Sequence, residues 1–264
     1  MGESHDIIAA LRQRVGAIEG LKPPAESDRF TIGHAAIDAR LGGGLLRGRL
    51  HELFAAPEDA ASAAGFALML AMRAGIGGAG QGPIVWLRED RAERRLGQIH
   101  GPGLAELGID PGRIILGVVP DEVALLRAAG DVVRCPEVGM LLIEPWKAAR
   151  ALDLTASRRL AVAAEASCVT TLLLRIEADP APSAAQTRWS VRAVASTALA
   201  ADAPGHPAIE LGLLRQRGGP AGWHYRLEWD RDRFEFSEAP LPSAVVPLPA
   251  GRSAAAGGEA RRIA

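Results

Sequence analysis

The sequence predicts an α/β protein with a doubly wound, mostly parallel sheet and a C-terminal antiparallel extension. Three observations carry that expectation. Five short apolar runs, Arg49–Phe54, Pro83–Leu87, Arg113–Val118, Gly139–Ile143 and Val169–Ile176, alternate with helix-compatible stretches at Ala60–Ala74, Arg91–Leu107, Asp121–Val132 and Thr155–Ala166. Runs that continuous are expected of strands covered by helices on both faces. Turn signals sit at the joints, in Gly101-Pro102-Gly103, Asp110-Pro111-Gly112 and Pro120-Asp121. Past Asp179 a small-residue loop, Pro180–Gln186, leads into three segments that read as antiparallel strands: Trp189–Ser196, Ala208–Arg217 and Gly222–Asp230.

His5–Glu19 reads as a short amphipathic helix, with Ile7, Ile8, Leu11, Val15 and Ile18 at helical spacing and Gly20 and Pro23-Pro24 as its stop. A helix of that length is marginal alone in water, so its apolar face requires a surface, on its own domain or on a partner. The expected organisation is helix and linker over 1–24, the α/β domain over 25–236, and a disordered Pro-rich, then Ala/Gly-rich tail over 237–264. In the last strand Trp223, Tyr225, Leu227 and Trp229 alternate with His224, Arg226, Glu228 and Asp230. That period of two gathers the aromatic rings on one face, for core packing ahead of an exposed partner surface.

With 264 residues, 48% of them hydrophobic, the chain can bury a sizeable core. Thirty basic and 31 acidic residues leave a net charge of −1, so there is no global footprint for a polyanion, although a local basic face remains open. Cys135 and Cys168 cannot build a disulfide framework and are expected as buried thiols; no Cys/His cluster has zinc-ligand spacing, and no metal is expected. The six histidines are scattered, which fits structural or solvent-exposed roles rather than catalysis. Met1–Arg14 is too charged for a secretory signal, and Ala60–Gly80 is interrupted by Arg73, so a cytoplasmic protein without a membrane span is expected. Only Lys22 and Lys147 are lysines, against 28 arginines. Chemistry that needs a lysine must run through one of those two positions.

The segment Phe30–Phe54, FTIGHAAIDARLGGGLLRGRLHELF, resembles the opening of the RecA core: a "(S/T)-x-G" start, a "(L/I)D-x-x-LG-x-GG" turn, then "GR-(I/L)-x-E" into the first core strand. Leu104–Asp110 with Arg113–Leu116 is similar to the RecA "LG-(I/V)-D-x-x-x-(I/L)" stretch, Pro120–Arg134 to the helix after it, and Val138–Glu144 takes the place of the Walker B strand. The order of the pieces, over about residues 28–177, makes the resemblance specific and implies a RecA-like fold. A phosphate-binding loop needs glycines to wrap the phosphates, a lysine at the β/γ-phosphates and a Ser/Thr hydroxyl on Mg²⁺. At the matching positions stand Ala56 and Ala61 for the glycines, Ser62 for the lysine and Ala63 for the hydroxyl, while Asp59 adds a negative charge where triphosphate would sit. Glu144 holds the Walker B position, followed by Pro145-Trp146; Glu89 falls at the water-activating glutamate and reads as a surface or N-cap-region acid. No phosphate-sensing Gln stands around Arg175–Glu177. The expectation is a RecA-like fold that has lost its ATPase, with no catalytic residue and no cofactor.

Further on, Trp189-Ser190-Val191, Arg215-x-Arg217-Gly-Gly-Pro-x-Gly-Trp223 and Leu227-Glu228-Trp229-Asp230 resemble the RWxV, RxRGGxPGxW and LEWD stretches of the ImuA family. With them the resemblance covers residues 5–236. It implies a non-catalytic adaptor in SOS-induced, error-prone translesion DNA synthesis, with partners among the inactive Y-family polymerase relative ImuB, RecA and an error-prone C-family polymerase. The N-terminal helix is then a candidate docking element. Two other classes stand beside it: a SulA-type cell-division inhibitor, which would not need the Trp189–Asp230 extension, and a RecA-like regulator that binds nucleotide through amides at the N-terminus of the Ala60 helix. Weak, salt-sensitive DNA contact is expected at most. Its candidate groups are Lys147 and Arg150 in the loop Trp146–Leu152, the loop Asp179–Gln186, and a patch of Arg188, Arg192, Arg215 and Arg217.

Overall fold

Residues 28–76, 80–203 and 205–238 are described by a computed structural model. The expected N-terminal helix with Ile7, Ile8, Leu11, Val15 and Ile18 lies outside the described residues, as does the tail beyond Glu238.

The chain enters through a small antiparallel pair, β1 (Arg29–Phe30) and β2 (Leu45–Leu46), flanking the short helix α1 (Ala35–Arg40). This is the FTIGHAAIDARLGGG segment, and its residues have structural work. Asp38, buried, accepts hydrogen bonds from the backbone N–H groups of Ile32 (2.7 Å), Gly33 (3.2 Å) and His34 (3.2 Å). Gly42, Gly43 and Gly44 follow with φ of +74°, +106° and +114°, a left-handed run that side chains resist. At Gly44 a Cβ would lie 2.2 Å from the Phe30 carbonyl oxygen, so the turn closes on β1 only with glycine.

Nine further strands form one sheet in the order β11-β10-β9-β8-β3-β7-β6-β4-β5. Its parallel half contains β3 (Leu50–Ala55), β4 (Ile84–Glu89), β5 (Ile114–Val119), β6 (Met140–Glu144) and β7 (Thr170–Ile176). β8 (Thr187–Ala193) pairs parallel with β3 on one side and antiparallel with β9 (Ala208–Gln216) on the other. β10 (Trp223–Asp230) and β11 (Glu235–Glu238) continue antiparallel from there. The segment expected as the first strand of an antiparallel extension is therefore the pivot between the two halves. Residues 237 and 238, expected in the tail, belong to the last strand.

Helices cover both faces. α2 (Ala60–Gly75) packs Ala63, Phe66, Ala67 and Leu70 against Leu53, Trp86, Leu142, Leu172 and Leu174. On the opposite face α5 (Glu122–Val132) and α6 (Leu154–Ser167) set Leu125, Ala129, Leu160 and Ala164 against Leu50, Val85, Leu87, Leu141 and Leu173. The alternation within each strand divides its side chains between the two cores, as a doubly covered sheet requires. Trp223, Leu227 and Trp229 join the first core together with Trp189, as expected for core packing; Tyr225 is half-buried against it. Coverage fails at the edge, where Ile115, Leu116 and Val118 of β5 are exposed.

The single helix expected over Arg91–Leu107 is two, α3 (Asp90–Leu96) and α4 (Gly101–Glu106). Gly97 ends the first with φ +90°, and Pro102 sits in the first turn of the second, where its missing N–H costs nothing. Both cysteines are exposed, not buried: Cys135 lies in the turn after α5, and Cys168 caps α6 in the left-handed conformation, where a chain reversal faces solvent. Among the described residues no helix is long and apolar enough to cross a membrane.

Candidate functional site

Open, mostly parallel α/β sheets present their ligand sites beyond the carboxyl ends of the strands. Here that rim comprises the ends of β3, β4 and β6 with the loops that follow. After β3 the chain does not form a wide loop. Ala56 leads into a 3-10 turn, Pro57–Asp59, which runs directly into α2. The Asp59 N–H is bonded to the Ala56 carbonyl (3.0 Å) and the Ala60 N–H to that of Pro57, while Pro57 has no N–H. Two of the donors a phosphate cradle would aim outward, the Asp59 and Ala60 amides, are used inside the turn.

The side chains of this segment are also engaged. Asp59 is buried, and its carboxylate accepts the Ala193 N–H at 2.8 Å, so its charge is turned to the end of β8. Ala63 is fully buried in the first core, where a methyl group fits and a metal-binding hydroxyl would have no access. Ser62 is half-buried and Ala61 exposed on the first turn of α2; Ala56 is half-buried before it.

Glu144, at the end of β6, lies beside Arg88 of β4 in adjacent parallel register. Arg88 Nε donates to Glu144 Oε2 at 2.7 Å, and the Trp86 indole N–H donates to the same oxygen at 2.9 Å. A further guanidinium N–H reaches the Gly97 carbonyl at 2.8 Å. Both ionised side chains are at most 4% exposed. The cation against Glu144, the carboxylate expected at a Walker B position, is the protein's own guanidinium. Beside the pair, a cavity of about 220 Å³ is lined by Ala61, Ala64 and Gly65 of α2 and by Leu104.

Glu89 is a correction in part. It occupies the N-cap position of α3, yet it is buried rather than a surface acid, and its carboxylate accepts the Trp146 N–H at 3.0 Å. Glu89 therefore ties the loop after β6 to the start of α3. The two elements flank an open cleft of about 630 Å³ lined by Arg91, Arg94, Arg95, Trp146 and Lys147. Arg94 is paired with Asp90 and Lys147 with Glu177 (2.9 Å); Arg91 and Arg95 have no ion pair among the described residues.

A second buried ionic group lies on the opposite face of the sheet. Glu52 of β3, 1% exposed, faces Arg188 of β8 (2.8 Å) and Arg175 of β7 (3.9 Å). Arg175 also donates to the Ala148 carbonyl (3.2 Å) and Arg188 to that of Ala181. Burial lowers the pKa of Arg175; the charge of Glu52 partly offsets this, and the charge of Arg188 adds to it. The arginine patch expected on the surface is thus dispersed. Arg188 is internal, Arg192 is paired with Glu210 (2.7 Å), and Arg215 and Arg217 are exposed.

The sequence reading placed Glu144, Glu89 and the Ala56–Ala63 segment at this rim, and the structure brings them there. It missed Arg88, Trp86 and the Glu52–Arg175–Arg188 group. Their signal was present: charges inside otherwise apolar strands, as in IVWLRE, LHELFA and TTLLLRI, have to be paired when both faces are covered. Among the described residues no group of three or more His, Cys, Asp or Glu side chains is placed to hold a metal ion. Comparison with protein-family models and with curated proteins finds no match to this chain.

Proposed function

We propose that this chain is a non-catalytic, RecA-like adaptor of the ImuA type, serving SOS-induced, error-prone translesion DNA synthesis. The reading rests on the ordered RecA-like and ImuA-like motifs in the sequence. The observation that carries its non-catalytic half is the Arg88–Glu144 pair. In a working nucleotide site the carboxylate after this strand is free to hold Mg²⁺ on the phosphates. Here Glu144 is neutralised by a buried guanidinium, the turn before α2 consumes its own amides, and Asp59 and Glu89 are spent on backbone N–H groups. What remains is a rigid sheet with exposed loops and helix faces, which is what a scaffold for protein partners needs.

The partners of this reading are ImuB, RecA and the error-prone C-family polymerase. Tagged full-length chain, purified from damaged cells, is expected to bring down ImuB and RecA; purification of neither would contradict the adaptor role. Removing residues 1–24 is expected to weaken that association, and unchanged binding to both proteins would remove that segment as the docking element. Any DNA contact is weak and falls at the Arg91–Arg95–Trp146 cleft, where cations flank an aromatic ring. Affinity for a single-stranded oligonucleotide is then expected to fall with added salt and with Arg91→Glu plus Arg95→Glu, as read by fluorescence anisotropy. Salt-independent binding would contradict it.

A further inference from the structure

The outward face of α6 is not covered by any other described element, although its inward face is packed through Ser157, Leu160 and Ala164. Along it, Leu154, Arg158, Val162 and Ala166 recur every four residues. Leu154 and Val162 are 51% and 60% exposed. An open cleft of about 780 Å³ runs along the Arg158–Ala166 part of this ridge, with Arg158, Arg159, Val162 and Ala166 on one side and Arg134 and Pro136, from the turn after α5, on the other. The two walls are fixed to each other: Ser167 Oγ donates to the Val133 carbonyl at 2.5 Å, and Ala129 and Val133 share a core with Leu160 and Ala164.

The charge of the cleft has one sign. None of its nine lining residues is acidic. Arg158 and Arg159 have neither an ion pair nor a hydrogen bond among the described residues, and Arg134 reaches only Asp131 (3.9 Å) and the Gly130 carbonyl. The acids at the two ends of this helix are engaged: Asp153, at its N-cap, accepts the Ala156 N–H at 2.7 Å, and Glu165 is held by Arg49 at 2.5 Å.

We propose that this face of α6 is a docking groove for an acidic amphipathic helix of a protein partner. A ridge at four-residue spacing, apolar at Leu154, Val162 and Ala166 with Arg158 among them, on a 14-residue helix roughly 21 Å long, is a surface against which a second helix packs its own ridge. Guanidinium groups flanking such a ridge pair with carboxylates in a fixed, two-pronged geometry, while their stems cover apolar side chains of the ligand. A nucleic acid would satisfy the arginines and leave Leu154 and Val162 exposed; a helix with leucines on one side and glutamates beside them satisfies both. The inference deepens the adaptor reading and rests on it for the existence of a protein partner.

The test uses the full-length chain and a fluorescein-labelled helical peptide of Leu, Ala and Glu, followed by anisotropy. Saturable binding is expected. A peptide with Lys in place of Glu is expected not to bind. Arg158→Glu with Arg159→Glu should weaken the Glu peptide about tenfold or more and gain affinity for the Lys peptide. Val162→Asp should weaken the Glu peptide. Arg158→Ala with Arg159→Ala is the milder variant, and unchanged melting temperature identifies variants that remain folded. No saturable binding, equal binding to wild type and charge-reversed protein, or displacement of the peptide by oligothymidylate would each overturn the proposal. Co-purification of ImuB or RecA equally well with the charge-reversed chain would remove this groove and leave the adaptor reading. Peptide binding without any association to those proteins would do the reverse.

Discussion

His51 sits inside the sheet at the head of a chain of hydrogen bonds whose directions are fixed by its partners. Trp189 Nε1 donates to Thr187 Oγ1 (2.7 Å), Thr187 Oγ1 to His51 Nδ1 (2.7 Å), and His51 Nε2 to the Leu46 carbonyl (3.0 Å). The ring is fully buried, and desolvation lowers its pKa to about 4. The unfolded ring takes a proton near 6.5, the folded one only near 4, so the contribution of His51 is complete above about pH 6.5 and is lost as pH falls toward 4. The loss is on the order of 3 kcal/mol at most. Urea denaturation at pH 7 and pH 5 is expected to show this slope in the wild type and a flatter one in His51→Gln; identical slopes would contradict it.

Arg88 and Glu144 follow the logic of buried ions. Removing one partner leaves an uncompensated charge, so Arg88→Ala is expected to cost about 3–5 kcal/mol in equilibrium unfolding. Arg88→Met with Glu144→Met should recover much of that loss, because both charges then leave the interior together. A double variant as unstable as the single one would show that the pair is not what holds this rim.

At the scale of elements, the Glu52 group explains how the two loops beyond the sheet are held. Arg175 bonds the loop after β6 at Ala148 and Arg188 bonds the loop after β7 at Ala181, while both face the carboxylate of Glu52. Lys147 and Ala149, at φ +54° and +41°, keep a left-handed backbone within the first loop, which requires such fixing. Glu52→Gln is expected to raise amide hydrogen exchange over 146–152 and 177–186 while leaving β6 and β7 protected; unchanged loop exchange would contradict the role. The periodic elements were legible in the sequence because covered strands are nearly all apolar, as in Leu141-Leu142-Ile143. The break between α3 and α4 was hidden, since Arg91–Leu107 keeps a helical pattern across Gly97, and a single glycine decides it by its φ. The pivot at β8 was illegible for another reason: parallel or antiparallel pairing is set by which neighbour a strand meets, and Thr187–Ala193 meets one of each kind. At the rim, the scarcity of lysine was readable from composition, whereas the Arg88–Glu144 pair required the adjacent register of β4 and β6.

For the whole molecule, the sheet carries two separable properties. Packing uses the apolar alternation of β3 to β10 and the Asp38 and Gly42–Gly44 turn, none of which depends on nucleotide. In the proposed reading a RecA-like architecture persists without nucleotide chemistry, because the carboxylates at the rim are engaged by Arg88 and by backbone N–H groups. Outside the core, the α6 face and the Arg91–Trp146 cleft are the arginine-lined surfaces on which the two proposed contacts are placed. The most direct measurement is ATP turnover by the purified full-length chain with Mg²⁺ and single-stranded DNA, beside the Glu144→Ala and Glu89→Ala variants. The expected result is no turnover above buffer for any of the three; hydrolysis by the wild type that disappears in both variants would contradict the account.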